Sequence, residues 1–192
     1  MVYKLHYFEG LGGRIEFTRI LLVYGQIPYE NVDIKREDWP KLKSIYPNAQ
    51  LPILEEDGKV LTQSIAIARY FANKLNAFVG MVEDTINALR PNGMMILKIV
   101  RGKAAGYQVQ ISEELRPFLE RLEKHLENTN GENLVGNHLT WADFVIADLF
   151  KRYCIAVPTL LDGFPKFGTF SAYIYNLSGV KEYVSKRNIT NF

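Results

Sequence analysis

Three histidines and one cysteine are the chain's only imidazoles and its only thiol, and their spacing argues against the chemistry such groups most often do. His6, His125, His138 and Cys154 lie far apart along 192 residues, without the short ligand spacings of a zinc site. No Gly-x-Ser-x-Gly elbow and no phosphate-cradling Walker loop occurs, and Gly10-Leu11-Gly12-Gly13 does not continue as a dinucleotide fingerprint. What stands out instead is a phenol. Tyr7 is next to last in a short aromatic segment that leads into a glycine-rich stretch, and from a strand end its O–H could be donated to an anion. Tyr7 is one of eleven tyrosines, and taken alone a packing role is the better account of it.

The elements that would position Tyr7 can be read from the hydrophobic periodicity. Tyr3 to Phe8 alternates polar and apolar residues and predicts a strand; Glu9 to Gly13 predicts a loop. From Arg14, the residues Ile15, Phe17, Ile20, Leu21, Leu22 and Tyr24 recur on one helical face that stops at Gly25. Tyr29 to Ile34 predicts a second strand, parallel to the first because a helix crosses between them. Glu37 to Asn48 is polar and contains Trp39-Pro40, which suits an irregular or short helical excursion. Leu51 to Leu54, the turn at Glu56-Asp57-Gly58, and Lys59 to Thr62 predict a hairpin. Ser64 is the expected cap of a further helix with the face Ile65, Ala68, Tyr70, Phe71 and Leu75. This β-α-β-(short α)-β-β-α order is the thioredoxin-like arrangement. A redox member would carry Cys-x-x-Cys after the first strand, where this chain has Tyr7-Phe8-Glu9-Gly10.

After Asn76 the strand signals end. Glu83 to Leu89, Met94 to Val100, Leu115 to Leu126, Trp141 to Ala156, Phe167 to Leu177 and Val180 to Val184 favour helix, and Thr140-Trp141-Ala142-Asp143 has the spacing of a capping box. The expected architecture is therefore an α/β thioredoxin-like module over 1–76 followed by an all-α module over 81–192.

Composition limits the partners. Lys and Arg number 23 against 21 Asp and Glu, a net charge of +2 with no basic cluster, which argues against a nucleic-acid partner. A single cysteine cannot form an internal disulfide, and no stretch approaches a membrane span, so a soluble, cytoplasmic protein is expected.

Several motifs now fall in one order: Tyr7-Phe8 with Gly12-x-Arg14-x-Glu16; Asp38-Trp39-Pro40-x-Leu42-Lys43; Gln50-Leu51-Pro52-Ile53-Leu54 with Asp57-Gly58; Gln63-Ser64-x-Ala66-Ile67-x-Arg69-Tyr70; and Leu139-Thr140-Trp141-Ala142-Asp143. Together they resemble the cytosolic glutathione transferases over nearly the whole chain. The Asp-Trp-Pro element and the tyrosine are similar to the sigma class, which includes insect members and the glutathione-dependent prostaglandin D synthases.

The resemblance implies a detoxifying enzyme with glutathione as cosubstrate, no permanently bound cofactor and no metal. Tyr7 would hold the glutathione sulfur as thiolate. A free thiol with a pKa of about 8.5 is only a few per cent ionised at neutral pH, and a drop of about two units corresponds to about 2.7 kcal/mol. Glutathione would be bound by Tyr7, Arg14, Trp39, Lys43, Gln50, Leu51, Pro52, Gln63 and Ser64. Pro52 would be cis, presenting the Leu51 backbone to the cysteinyl part, whereas an ordinary edge-strand proline leaves the hairpin intact. Gln63-Ser64, at a helix N-terminus, would receive the γ-glutamyl carboxylate, with a simple cap as the structural alternative for Ser64. Trp39 and Lys43 would reach the glycyl carboxylate, or else anchor and solvate a charged run. Arg14 would orient tyrosine and sulfur or pair with a carboxylate.

The family pattern is fuller after Asn76 than this chain, in the helix that builds the two-fold dimer, lines the electrophile pocket and offers the partner's glutathione an acidic residue, for which Asp84 is the nearest match. By position, Phe8, Leu11, Tyr107 and Phe192 are expected in a pocket for a hydrophobic electrophile. A homodimeric enzyme acting by conjugation, peroxide reduction or prostaglandin isomerisation is the leading expectation. A non-catalytic glutathione or hydrophobic-ligand binder, or a crystallin-like structural protein, is the alternative on the same fold. A glutaredoxin-type oxidoreductase fits poorly without a cysteine near Tyr7.

Overall fold

The computed structural model describes residues 2–10, 12–75, 106–129, 131–134 and 138–187. It divides into two compact units, Met1–Asn76 with Ser178–Phe192, and Ala77–Leu177.

The first unit is built on a four-stranded sheet in the order β2-β1-β3-β4, made of β1 (Tyr3–Phe8), β2 (Tyr29–Ile34), β3 (Ile53–Glu56) and β4 (Lys59–Thr62). β1 and β2 run parallel with Tyr7 opposite Asp33, and β3 runs antiparallel to both β1 and β4. The alternation in β1 sends Tyr3, Leu5 and Tyr7 into the core. β3 begins two residues later than the apolar run suggests, because Pro52 has no N–H for the ladder. Asp57 and Gly58 turn the hairpin with φ of 47° and 77°, the two positive values a type I′ turn requires.

A 3₁₀ turn, Gly13–Ile15, leads into α1 (Glu16–Tyr24). α1 is buried far beyond its apolar stripe: Glu16 and Arg19 are also enclosed, at 3% and 7% exposure. Gly25 ends it at φ −76°, so left-handed freedom is not why a glycine stands there; a β-carbon would come within 2.7 Å of Leu75 Cδ1. The end of the Leu75 side chain would have to shift to admit one. The excursion after β2 contains the short α2 (Trp39–Leu42) and two 3₁₀ turns, Lys43–Ile45 and Pro47–Ala49. In α3 (Ser64–Lys74), Gln63 rather than Ser64 is the N-cap, and Ser64 is the first helical residue. The buried face of α3 is Ile67, Ala68, Phe71 and Ala72, with Ile65 only half-buried.

The second unit contains α4 (Gln108–Asn128), α5 (Trp141–Ala156) and α6 (Pro165–Asn176), with α6 packed on both others. α4 starts before the predicted Leu115 and carries Pro117 within it. Phe150 is the hub of its core, stacked on Phe118 at 5.7 Å and edge-on to Phe167 at 5.1 Å. The capping box is formed at α5: Asp143 Oδ2 accepts from Thr140 N at 2.6 Å and Thr140 Oγ1 at 2.8 Å, and Oδ1 accepts from Leu134 N at 2.7 Å. Glu123 closes the start of α6 by accepting from the Lys166 and Phe167 amides at 2.8 Å.

Two expectations meet a different arrangement or fall outside it. The predicted helices at Glu83–Leu89 and Met94–Val100, and Asp84 with them, lie outside the described residues. Residues 178–187, expected in the helical module, group with the first unit, where α7 (Val180–Lys186) packs on α1. The physical reason is polar: Tyr183 and Arg187 both donate to the buried Glu16 carboxylate, at 2.8 and 2.6 Å. Among the described residues, no helix is long and apolar enough to cross a membrane.

Candidate active site

Tyr7 ends the buried row of β1, 8% exposed. Its hydroxyl accepts a hydrogen bond from the Arg14 backbone N–H at 3.2 Å. That bond occupies a lone pair and leaves the phenolic proton for another acceptor.

Next to this pair, within the first unit, is a cavity of about 260 Å³. Phe8 contributes from the end of β1, Arg14 from the 3₁₀ turn before α1, Trp39 and Lys43 from α2 and the turn after it, Ala49 to Pro52 from the approach to β3, and Gln63-Ser64 from the start of α3. Tyr7 is not itself on the wall, but it bonds the backbone of one wall residue, Arg14, and adjoins another, Phe8, in the chain. The donors on offer suit an anion with several polar groups. The first turn of α3 presents backbone N–H groups without intrahelical partners, at the positive end of an eleven-residue helix. Lys43 adds a cation and Trp39 an indole N–H.

Local backbone geometry shapes this wall. The Leu51–Pro52 peptide is cis. Gln63 has φ 73° and ψ 120°, an unfavourable conformation for a side-chain-bearing residue, and its carboxamide donates to Gln50 Oε1 at 3.1 Å. Trp39 is held by aromatic neighbours, edge-on to Phe8 at 5.5 Å and tilted on Tyr46 at 5.5 Å. Behind Tyr46, His6 Nδ1 meets the phenol at 3.2 Å and Nε2 faces Glu55 at 3.4 Å. Burial pushes the His6 pKa down, against the opposing pull of Glu55. Among the described residues no cluster of metal-ligating side chains occurs.

Comparison with known proteins gives this geometry its context. The family described as glutathione S-transferase, N-terminal domain, matches residues 3–73, and glutathione S-transferase, C-terminal domain, matches residues 101–187. The chain belongs to the glutathione S-transferase family. A glutathione S-transferase of Anopheles gambiae is 34% identical, over 98% of this chain and 98% of the relative. The hematopoietic prostaglandin D synthase of Homo sapiens is 31% identical over 96% of each chain. A solved glutathione S-transferase of the hookworm Necator americanus, described as monomeric, superposes with a TM-score of 0.80 at 29% identity, covering 100% of both chains. The alignment with the Anopheles transferase runs over 205 positions against the 192 residues here, so that relative carries residues this chain lacks.

Of the residues expected to bind glutathione, Arg14, Trp39, Lys43, Gln50, Leu51, Pro52, Gln63 and Ser64 come together on this one cavity, with Tyr7 next to it. Phe8, expected toward the electrophile, lines the same cavity. Tyr107 is in the second unit, directly before α4 and 43% exposed. Leu11 and Phe192 lie outside the described residues. Ala49 is a wall residue that sequence reasoning missed. Its left-handed φ of 49°, following Asn48 at 56°, has no signature in its residue type.

Proposed function

We propose that the first-unit cavity is the glutathione site and that Tyr7 keeps the glutathione sulfur ionised for attack on a hydrophobic electrophile. The carrying observation is the Tyr7 hydroxyl, fixed as acceptor of the Arg14 N–H beside a cavity walled by α2, the Leu51-Pro52 peptide and the start of α3. In this reading the Gln63-Ser64 end of α3 holds the γ-glutamyl carboxylate, the Leu51 backbone pairs with the cysteinyl part, and Trp39 with Lys43 holds the glycyl carboxylate. Bound so, the thiol gives its proton to solvent and the thiolate accepts the Tyr7 O–H. The sulfur then forms a bond to the electrophilic carbon as the leaving group departs with its electron pair. The phenol favours the anion over the thiol, so its contribution appears in the thiol pKa as well as in binding.

Residues 1–76 act as the glutathione-binding domain and the helical part supplies the electrophile side. A sigma-class assignment, with conjugation or prostaglandin isomerisation as the reaction, is supported by the Asp38-Trp39-Pro40 element and by the likeness to the prostaglandin D synthase. A homodimer in the cytoplasm is the proposed state, and a monomer in light scattering would overturn that assembly. The reading is tested by titrating glutathione calorimetrically and then supplying a chlorinated nitroaromatic. Saturable binding followed by conjugate formation supports it; binding without turnover would make the protein a non-catalytic binder, and no binding would remove the glutathione site altogether.

A further inference from the structure

Gly13 stands under the Tyr7 ring. Its φ of +48° is left-handed, and a β-carbon built there would lie 2.8 Å from Tyr7 Cε1, 3.0 Å from Cζ and closer still to the phenol oxygen. Real β-carbons do not approach so near, and the neighbour is a ring held in the buried row of β1, not the loose end of a flexible chain. The following residue supplies the N–H that the Tyr7 oxygen accepts at 3.2 Å. The missing side chain and the left-handed backbone therefore act together: one lets the phenol lie against the main chain, the other belongs to the turn that presents the Arg14 amide.

We infer that Gly13 is a positioning residue for the Tyr7 hydroxyl, so that any side chain at 13 lifts the phenol away from the Arg14 N–H and from the sulfur. This rests on the reading of Tyr7 as the sulfur's hydrogen-bond donor. A purely structural glycine would affect folding stability and leave the glutathione sulfur untouched. A positioning glycine changes the acidity of the bound thiol, and does so only while the hydroxyl is present.

The measurement is the pKa of enzyme-bound glutathione, followed by the ultraviolet absorbance of its thiolate as pH is raised, in wild type, Tyr7→Phe, Gly13→Ala and the double variant. Gly58→Ala is the control, since Gly58 has φ +77° with nothing within 4 Å of its would-be β-carbon and so carries the backbone strain without a clash. The expected result is a rise of about one unit or more in Gly13→Ala, a tenfold loss of thiolate at low pH. Gly58→Ala should keep the wild-type value, and the double variant should titrate with Tyr7→Phe. Gly13→Asn carries a β-carbon in a residue that tolerates left-handed backbone, and it is the variant read if Gly13→Ala does not fold. A wild-type pKa in the folded Gly13 variant would overturn the inference, as would an equal rise with and without the Tyr7 hydroxyl. A wild-type pKa in Tyr7→Phe is a separate outcome: it removes the role of Tyr7 itself, and the inference with it.

Discussion

Arg187 Nη1 donates to Glu16 Oε1 at 2.6 Å, joining residues 171 positions apart and tying the end of α7 to the first residue of α1. Glu16 is 3% exposed and also accepts from the Tyr183 hydroxyl at 2.8 Å and from Arg19 at 3.2 Å, while Arg19 Nε donates to Asn31 of β2 at 3.0 Å. A buried carboxylate needs such partners, and removing one leaves its charge under-compensated. Arg187→Ala should lower unfolding stability by about 2–3 kcal/mol, read from the urea midpoint at unchanged slope. An unchanged midpoint would mean that Glu16 is satisfied without α7.

The same carboxylate gives a pH dependence. Burial alone would raise the Glu16 pKa, but Arg187 first, then Arg19 and the Tyr183 hydroxyl, outweigh it and hold the group below the usual carboxylate range. Its stabilising contribution is then complete above the unfolded value of about 4.3 and is lost as pH falls through the lower folded value. Glu16→Gln should flatten the acid limb of the stability curve, and an identical acid limb in wild type and variant would contradict this.

Lys43 lies on the cavity wall with an exposed side chain, so its charge acts through solvent. Lys43→Ala should raise the KM for glutathione by about three- to tenfold and leave kcat within about twofold, the pattern of lost uniform binding. A fall in kcat at constant KM would place Lys43 in the chemistry instead.

Asp143 receives three hydrogen bonds at the start of α5 and is completely enclosed. Asp143→Ala would leave the Leu134 and Thr140 amides buried without their acceptor, at about 2–4 kcal/mol. Thermal unfolding checks it, and a loss under about 0.5 kcal/mol would show that these amides find other acceptors.

The order of elements was legible where each carries a local signal: alternation in β1 and Asp57-Gly58 at the hairpin in the first unit, Thr140 to Asp143 at α5 in the second. The wall residues other than Ala49 were marked by short motifs that resemble the family's, and such a resemblance can be read before the cavity that gathers them is seen. The frame of α3 was not legible, because Ile65 and Ile67 are both apolar and periodicity alone does not choose between them. Nor was the attachment of α7, since Glu16 meets Tyr183 and Arg187 only through the tertiary fold. Gly13 reads in sequence as one more loop glycine; its relation to Tyr7 exists only once β1 and the following turn are folded together.

The most direct test of the Tyr7 assignment is kcat/KM for conjugation of glutathione to a chlorinated nitroaromatic, compared between wild type and Tyr7→Phe near neutral pH. Removing a hydrogen bond made to a charged sulfur is predicted to cost about 10- to 100-fold, or about 1.5–3 kcal/mol, with the deficit shrinking as alkali ionises the thiol without help. Equal rates in the two proteins across the pH range would contradict it.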